Sequence, residues 1–96
     1  MAVSRTHRYV VDPAVLDDLI ARRAALIDAV RAAHPGLTEA RLTRLEDGTF
    51  TDVWRWDSRE QMQAALAAIG SFPEARQAKA LTLDATALDG EIVDEL

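Results

Sequence analysis

Residues 47–61 read DGTFTDVWRWDSREQ, and this stretch decides the fold. Asp47-Gly48 predicts a hairpin turn, because glycine permits a positive φ. The run Thr49–Trp56 is rich in β-branched and aromatic residues, which favours a strand. Ser58-Arg59-Glu60-Gln61 then matches a capping box, in which the serine hydroxyl and the glutamine side chain each satisfy a free amide at a helix start. The stretch therefore predicts one strand of a hairpin that leads directly into a helix.

Two further strands are predicted upstream of this stretch. Leu37–Glu46 alternates roughly between apolar and polar residues and forms the other strand of the hairpin. Ser4–Val11 also alternates, so that Arg5, His7 and Tyr9 share one face of a first strand. The sequence therefore places three charged or polar-tipped side chains side by side.

A long helix is predicted between the first two strands. Asp12 can cap its first turn and Pro13 fits the first helical position, while His34-Pro35-Gly36 ends it. Apolar residues recur within it at three- and four-residue spacing and are predicted to face the core: Leu16, Leu19, Ile20, Ala24, Ile27 and Val30.

The rest of the chain predicts a second helix and a weak last strand. Met62, Leu66 and Ile69 form the apolar stripe of the second helix, which stops at Gly70, and a short helical stretch follows from Phe72-Pro73-Glu74 to about Leu81. Thr86–Val93 has few apolar residues and Asp89-Gly90 in its middle, which predicts a weak, edge-like or bulged strand. The order βαββαβ predicts an α+β, ferredoxin-like fold with an antiparallel sheet.

The composition limits the classes of function. With 96 residues, we expect a single domain that spans residues 1–96. A net charge of -5 opposes phosphate backbones, so nucleic acid is not an expected partner. No apolar run is long enough for a signal peptide or a membrane span, so we expect a cytoplasmic protein without a membrane partner. The chain has no cysteine and only two histidines, on separate elements, so no metal site is expected.

The order and spacing of these parts resemble the antibiotic biosynthesis monooxygenase-like domains of the dimeric α+β barrel superfamily. The resemblance is carried by the Pro-Gly turn, the Asp-Gly hairpin, the segment Trp56-Asp57-Ser58-Arg59-Glu60 that enters the second helix, and the segment Ser71-Phe72-Pro73-Glu74. It covers nearly the whole chain. It implies a homodimer in which two sheets close a barrel, with a small pocket between the sheet and the helices of each protomer.

The resemblance implies several chemistries, and the residues do not support all of them. Haem-degrading relatives use an asparagine on the first strand, a tryptophan in the second helix and an iron-binding histidine after it. These positions fall on His7, Ala65 and Arg76 here. Alanine cannot press on a porphyrin ring and arginine cannot ligate iron, so haem degradation is not expected and no cofactor is predicted. Many other relatives carry a histidine near the position of Ala65, and its absence removes one acid or base.

His7 is the predicted catalytic residue, because a histidine with a pKa near 6.5 exchanges protons at neutral pH and could deprotonate a phenol. The alternative is a half-buried or exposed histidine with a structural role. Tyr9, on the same face, could orient a substrate hydroxyl or could simply pack against the first helix. The sequence leaves both pairs of alternatives open.

The remaining predicted pocket residues are two tryptophans and two residues of the short helical stretch. Trp54 and Trp56 lie two apart, so they share a face and could form an apolar wall for a flat aromatic ligand, or could belong to the core or a dimer interface. Phe72 is predicted to line the pocket, and the resemblance places Arg76 near it, where Arg76 could steer an anionic or phenolate substrate.

The sequence alone is therefore compatible with two functions. The first is a cofactor-independent monooxygenase that acts on a small aromatic or phenolic, polyketide-like substrate. The second is a homodimer of the same fold that binds a small ligand without turnover or has a structural role. Substrate identity is outside what the residues determine.

Overall fold

The computed structural model describes residues 1–96 and contains four strands and three helices in the predicted order. Each neighbouring pair of strands is antiparallel, and the strand order in the single sheet is β2-β3-β1-β4. This confirms the α+β, ferredoxin-like fold. The elements are β1 Val3–Val10, α1 Leu16–Ala33, β2 Leu37–Arg44, β3 Phe50–Trp56, α2 Arg59–Ala68, α3 Pro73–Lys79 and β4 Leu83–Glu91.

The helix starts follow the local signals in the sequence. The Asp12 side chain accepts a hydrogen bond from the amide of Ala14 and opens a short 3-10 turn that leads into α1. At α2, the Ser58 hydroxyl oxygen accepts from the amide of Gln61 at 3.2 Å. The second half of the predicted capping box is wrong, because the Gln61 side chain accepts the hydroxyl proton of Ser58 instead of capping its amide.

The buried stripe of α1 differs from the predicted one. Leu19, Ile27 and Val30 are buried as predicted, but Ile20 is 48% exposed and Ala24 is also exposed. The helix turns Arg23 toward the sheet instead, one turn from both Leu19 and Ile27. A charged residue therefore occupies a position of the core-facing stripe.

One face of the sheet carries the core, and the register shows which side chains share it. Trp56 pairs with Val3, Trp54 with Arg5, and Asp52 with His7, and directly paired residues point to the same side of a sheet. The three helices cover this face. The larger core cluster joins it to α1 and α2: Val3, Ile27, Val30, Leu37, Trp54, Trp56, Met62 and Ala65.

The opposite face of the sheet has no helix over it. Val53 lies at the centre of this face between Thr6 and Arg41 of the neighbouring strands. The edge strand β4 is exposed along its whole length, and Leu88, which pairs with Thr6, is 78% exposed. None of the helices combines the length and apolar character that crossing a membrane requires.

Candidate active site

A cavity of about 510 Å³ lies between the helix-covered face of the sheet and the three helices. This volume is within the range of small-molecule sites in proteins. Strand β1 contributes Arg5, His7 and Tyr9 to the wall, as the two-residue period of the strand predicts. Other lining residues come from β3, α1, α2, the turn after α2, and α3, and include Asp52, Trp54, Trp56, Arg23, Leu26, Val30, Ala65, Leu66, Ile69, Arg76 and Lys79.

Asp52 is the polar centre of this wall. It is only 4% exposed, and its carboxylate accepts four hydrogen bonds. Oδ1 accepts from Nη2 of Arg23 at 2.9 Å and from Nε1 of Trp54 at 3.0 Å, while Oδ2 accepts from Nε of Arg23 at 2.9 Å and from the hydroxyl of Tyr9 at 2.8 Å. Each lone pair of the buried charge therefore has a donor, which is what burial of a carboxylate requires.

This network fixes the state of Tyr9. Burial raises the pKa of the Tyr9 phenol far above its ordinary value, and the neighbouring Asp52 carboxylate raises it further. The phenol is therefore neutral at physiological pH, and its proton lies on the hydrogen bond to Asp52. Tyr9 is therefore not available to exchange protons at physiological pH.

His7 is the titratable group of the wall. Its Nδ1 lies 3.1 Å from the backbone carbonyl oxygen of Asp52. Because a carbonyl only accepts, the neutral ring must carry its proton on Nδ1 and has its lone pair on Nε2. Burial lowers the pKa of His7 below 6.5, partly offset by the hydrogen bond and the charge of Asp52. At neutral pH the ring is therefore unprotonated at Nε2 and can act as a base.

The tryptophans form the apolar part of the wall. Trp54 and Trp56 are both buried, and the His7 ring meets the Trp54 ring edge-on at a centroid distance of 5.9 Å. Arg5 donates from Nη1 to both carboxylate oxygens of Asp89 at 2.8 and 2.9 Å. Nε of Arg5 and Nε1 of Trp56 are buried without a hydrogen-bond partner.

Comparisons with known proteins identify the architecture. No family model matches the chain, and no curated protein matches it. Among solved structures, the cofactor-independent oxygenase SnoaB from Streptomyces nogalater is 25% identical, with a TM-score of 0.74 over 99% of this chain and 96% of that one. A variant of MhuD with two manganese protoporphyrin IX molecules bound per active site is 26% identical, with a TM-score of 0.76 over 98% and 97%.

A protein from Bordetella bronchiseptica described as a putative antibiotic biosynthesis monooxygenase is 16% identical and has a TM-score of 0.76 over 96% of this chain and 97% of that one. The chain has the antibiotic biosynthesis monooxygenase-like fold. The resemblance stated from the sequence is thereby confirmed.

The monooxygenase-like fold brings most of the predicted site residues together. His7, Tyr9, Trp54, Trp56 and Arg76 all line the one cavity, and Arg76 is at its exposed rim on α3. Phe72 does not line it. The chain is extended at Phe72, between the turn after α2 and the start of α3, and its ring packs edge-on against His34 at a centroid distance of 6.5 Å.

Sequence reasoning missed Arg23 and Asp52, which form the buried ion pair of the cavity wall. Both carried a usable signal. Asp52 alternates with Phe50, Trp54 and Trp56 on β3, so it must share their buried face. Arg23 lies four residues from both Leu19 and Ile27 on α1, and hence on their stripe. A buried carboxylate and a buried arginine on facing elements predict an ion pair.

Proposed function

We propose that this chain is a cofactor-independent monooxygenase that acts on a small aromatic or phenolic, polyketide-like substrate in the cavity. The observation that carries the proposal is His7, a neutral histidine whose Nδ1 is held by the Asp52 carbonyl and whose Nε2 is left as a base beside an aromatic wall. The similarity to SnoaB, a cofactor-independent oxygenase, supports it.

The reaction begins with removal of a proton from the substrate hydroxyl by Nε2 of His7. The resulting phenolate is electron-rich and reduces O₂, and a carbon–oxygen bond then forms at an activated ring carbon. For a ring CH₂ group, one oxygen atom remains as a carbonyl, and the two hydrogens of the CH₂ leave with the other oxygen as water. Nε2 of His7 returns its proton to the phenolate oxygen, which restores the hydroxyl and the neutral base. The substrate supplies all four electrons, so no external reductant is needed.

The other lining residues have binding roles in this proposal. The faces of Trp54 and Trp56 stack on or flank the flat substrate, which gives apolar burial without proton chemistry. Arg76 at the rim attracts an anionic or phenolate form. Haem chemistry is not part of the proposal, because the α3 side of the cavity presents Arg76 and Lys79, and neither can serve as an iron-binding histidine.

Oxygen uptake tests the proposal. The purified protein should consume O₂ with members of a panel of hydroxylated anthrones and naphthols, with one quinone formed for each O₂ consumed. His7→Gln should lower the rate at least 100-fold, because it removes the base. His34→Gln is the matched control, since His34 packs on Phe72 outside the cavity and its loss should leave the rate unchanged. A panel without uptake above the uncatalysed rate would contradict the proposal.

The second candidate is binding of a small aromatic ligand without turnover, and Ala65 favours it. This residue lines the cavity from α2, where it offers no acid or base to complement His7. In that case aromatic ligands should quench the tryptophan fluorescence saturably and no product should form.

We also propose that the protein is a homodimer of single domains spanning residues 1–96, in which the uncovered sheet faces of two protomers pack together to form a dimeric α+β barrel. Only 15 of the 96 residues are buried in one protomer, which is a small core, and one face of the sheet has no cover. Pairing of the sheets would add apolar burial around Val53 and Leu88.

A further inference from the structure

The wall between β1 and β3 has an unusual balance of hydrogen-bond donors and acceptors. The Asp52 carboxylate takes the only proton of the Tyr9 hydroxyl, the only N–H of the Trp54 indole ring and two N–H groups of Arg23. One buried carboxylate thus uses the donors that this wall would otherwise offer to a ligand. Its backbone carbonyl takes the Nδ1 proton of His7 as well.

Acceptors are what remain at His7 and Tyr9, because the donors of Arg5 on the same strand are paired with Asp89 through Nη1 or, at Nε, buried away from open space. Nε2 of His7 keeps a lone pair and has no partner within the protein. The Tyr9 oxygen keeps lone-pair capacity after donating to Asp52, as any phenol does. Both residues line the cavity two positions apart on one strand face. A ligand that satisfies this wall must supply hydrogen-bond donors.

We propose that Asp52 is a positioning residue that makes this wall a hydrogen-bond acceptor, and that the cavity therefore selects aromatic diols over their ethers and over the corresponding quinones. The inference rests on the proposed function for the choice of cavity, but it concerns binding and not turnover. It adds to the proposed function a preference for the hydroxylated substrate over a quinone product. A hydroxylated ring is held by the wall, whereas a quinone lacks the hydroxyl hydrogens and has less to hold it.

Calorimetric titration under argon tests the selectivity without any reaction. The probes are a naphthalenediol, its dimethyl ether and a naphthoquinone, which share a ring system and differ in donors. The wild-type protein should bind the diol about tenfold more tightly than the ether or the quinone, the effect of one or two hydrogen bonds. Equal affinities for the three probes would overturn the inference. Such equality is expected if the remaining N–H groups of Arg23 donate to quinone oxygens.

Asp52→Asn tests the role of the carboxylate. An amide at this position can donate to the Tyr9 oxygen, which leaves the Tyr9 hydroxyl proton free to donate into the cavity. The preference for the diol over the quinone should then fall to less than threefold, while the affinity for the ether changes little. A folded variant that keeps the wild-type ratio of the three affinities would overturn the proposal, and circular dichroism identifies loss of structure, which would weaken all three together.

Tyr9→Phe decides the matter if Asp52→Asn does not fold. This change keeps the hydrogen bonds of Asp52 to Arg23 and Trp54 and removes one acceptor from the wall. Affinity for the diol should fall about three- to tenfold toward that of the ether. An unchanged diol affinity would overturn the inference.

The outcomes for binding and turnover are separable. Diol selectivity without oxygen uptake would leave the inference standing and remove the proposed oxygenase activity. Oxygen uptake without diol selectivity would do the reverse.

Discussion

Several groups shift the pKa of His7 in opposite directions, and the net effect lowers it. Burial disfavours the charged imidazolium, and the cation of Arg5 acts the same way, while Asp52 and Asp89 favour it. Burial is the largest influence, so the pKa of His7 in the folded protein is lower than 6.5. The residue that we propose as the base is thus neutral at the pH at which the reaction must run.

The pH dependence of stability follows from this shift. Between the folded-state pKa of His7 and 6.5, the unfolded chain binds more protons at this residue than the folded one does. The contribution of His7 to stability is therefore fully present above pH 6.5 and is lost as the pH falls toward the folded-state pKa. Urea titrations of the wild type and His7→Gln should show a difference in unfolding free energy that shifts in this sense across that window.

Proton NMR gives the direct check on His7. One imidazole signal should titrate with a midpoint below 6.5, and His34→Gln identifies it by removing the other histidine. A midpoint at or above 6.5 would contradict both the pKa shift and the neutral base in the proposed mechanism.

Arg23 and Asp52 form a buried ion pair that should be costly to break from one side. The exposed fractions of their side chains are 15% and 6%, and removal of one partner leaves a buried charge uncompensated. We expect Arg23→Met to lower the free energy of unfolding by about 3 kcal/mol in urea titrations. The double variant Arg23→Met, Asp52→Asn should regain part of this loss, because the stranded charge is gone.

Arg22→Met provides the comparison within the same helix. Arg22 is exposed, and its Nε lies 3.6 Å from Oδ1 of Asp18 in a surface ion pair. Such pairs contribute about 0–1 kcal/mol to the free energy of unfolding. An equal loss of stability in Arg22→Met and Arg23→Met would show that the buried pair has no special role.

The elements of this fold were predictable because their signals are local. Asp12 and Ser58 sit where helices begin, and Asp47-Gly48 sits where the hairpin turns, with Gly48 at φ +86°. The direction in which α1 faces was less predictable. The three- and four-residue spacing predicted that Ile20 and Ala24 face the core, whereas in the structure Arg23 faces the sheet and pairs with Asp52 on β3. That ion pair joins residues 29 positions apart, so it follows only when the periodicities of α1 and β3 are considered together.

The cap of α2 gives a test at the scale of one element. Ser58→Ala removes the oxygen that accepts from the amide of Gln61 and should lower the free energy of unfolding by about 1 kcal/mol. Ser58→Asp keeps an acceptor at this position and should preserve stability. Thermal unfolding at matched pH measures both, and equal losses in the two variants would contradict a capping role for this residue.

The whole molecule leaves one side of its sheet bare, and this asymmetry is the strongest physical reason to expect a partner chain. The core lies entirely on the helix side, where Asp52 and the tryptophans also shape the cavity. The other side combines polar side chains with apolar ones such as Val53 and Leu88. The sequence alone implied a dimer through the small size of the chain and through family resemblance. The bare face gives that expectation a location.

The proposed dimer predicts the response of the whole molecule to a charge at the centre of that face. Light scattering after size exclusion should give the wild type a mass of twice 10.5 kDa. Val53→Arg should convert it to a monomer, because two copies of the new charge would meet across a two-fold interface without partners. Ile20→Arg, at an exposed apolar residue on the outer side of α1, should remain dimeric. Equal masses for Val53→Arg and the wild type would place any interface elsewhere, since a buried and unpaired pair of arginines could not persist at the centre of the contact.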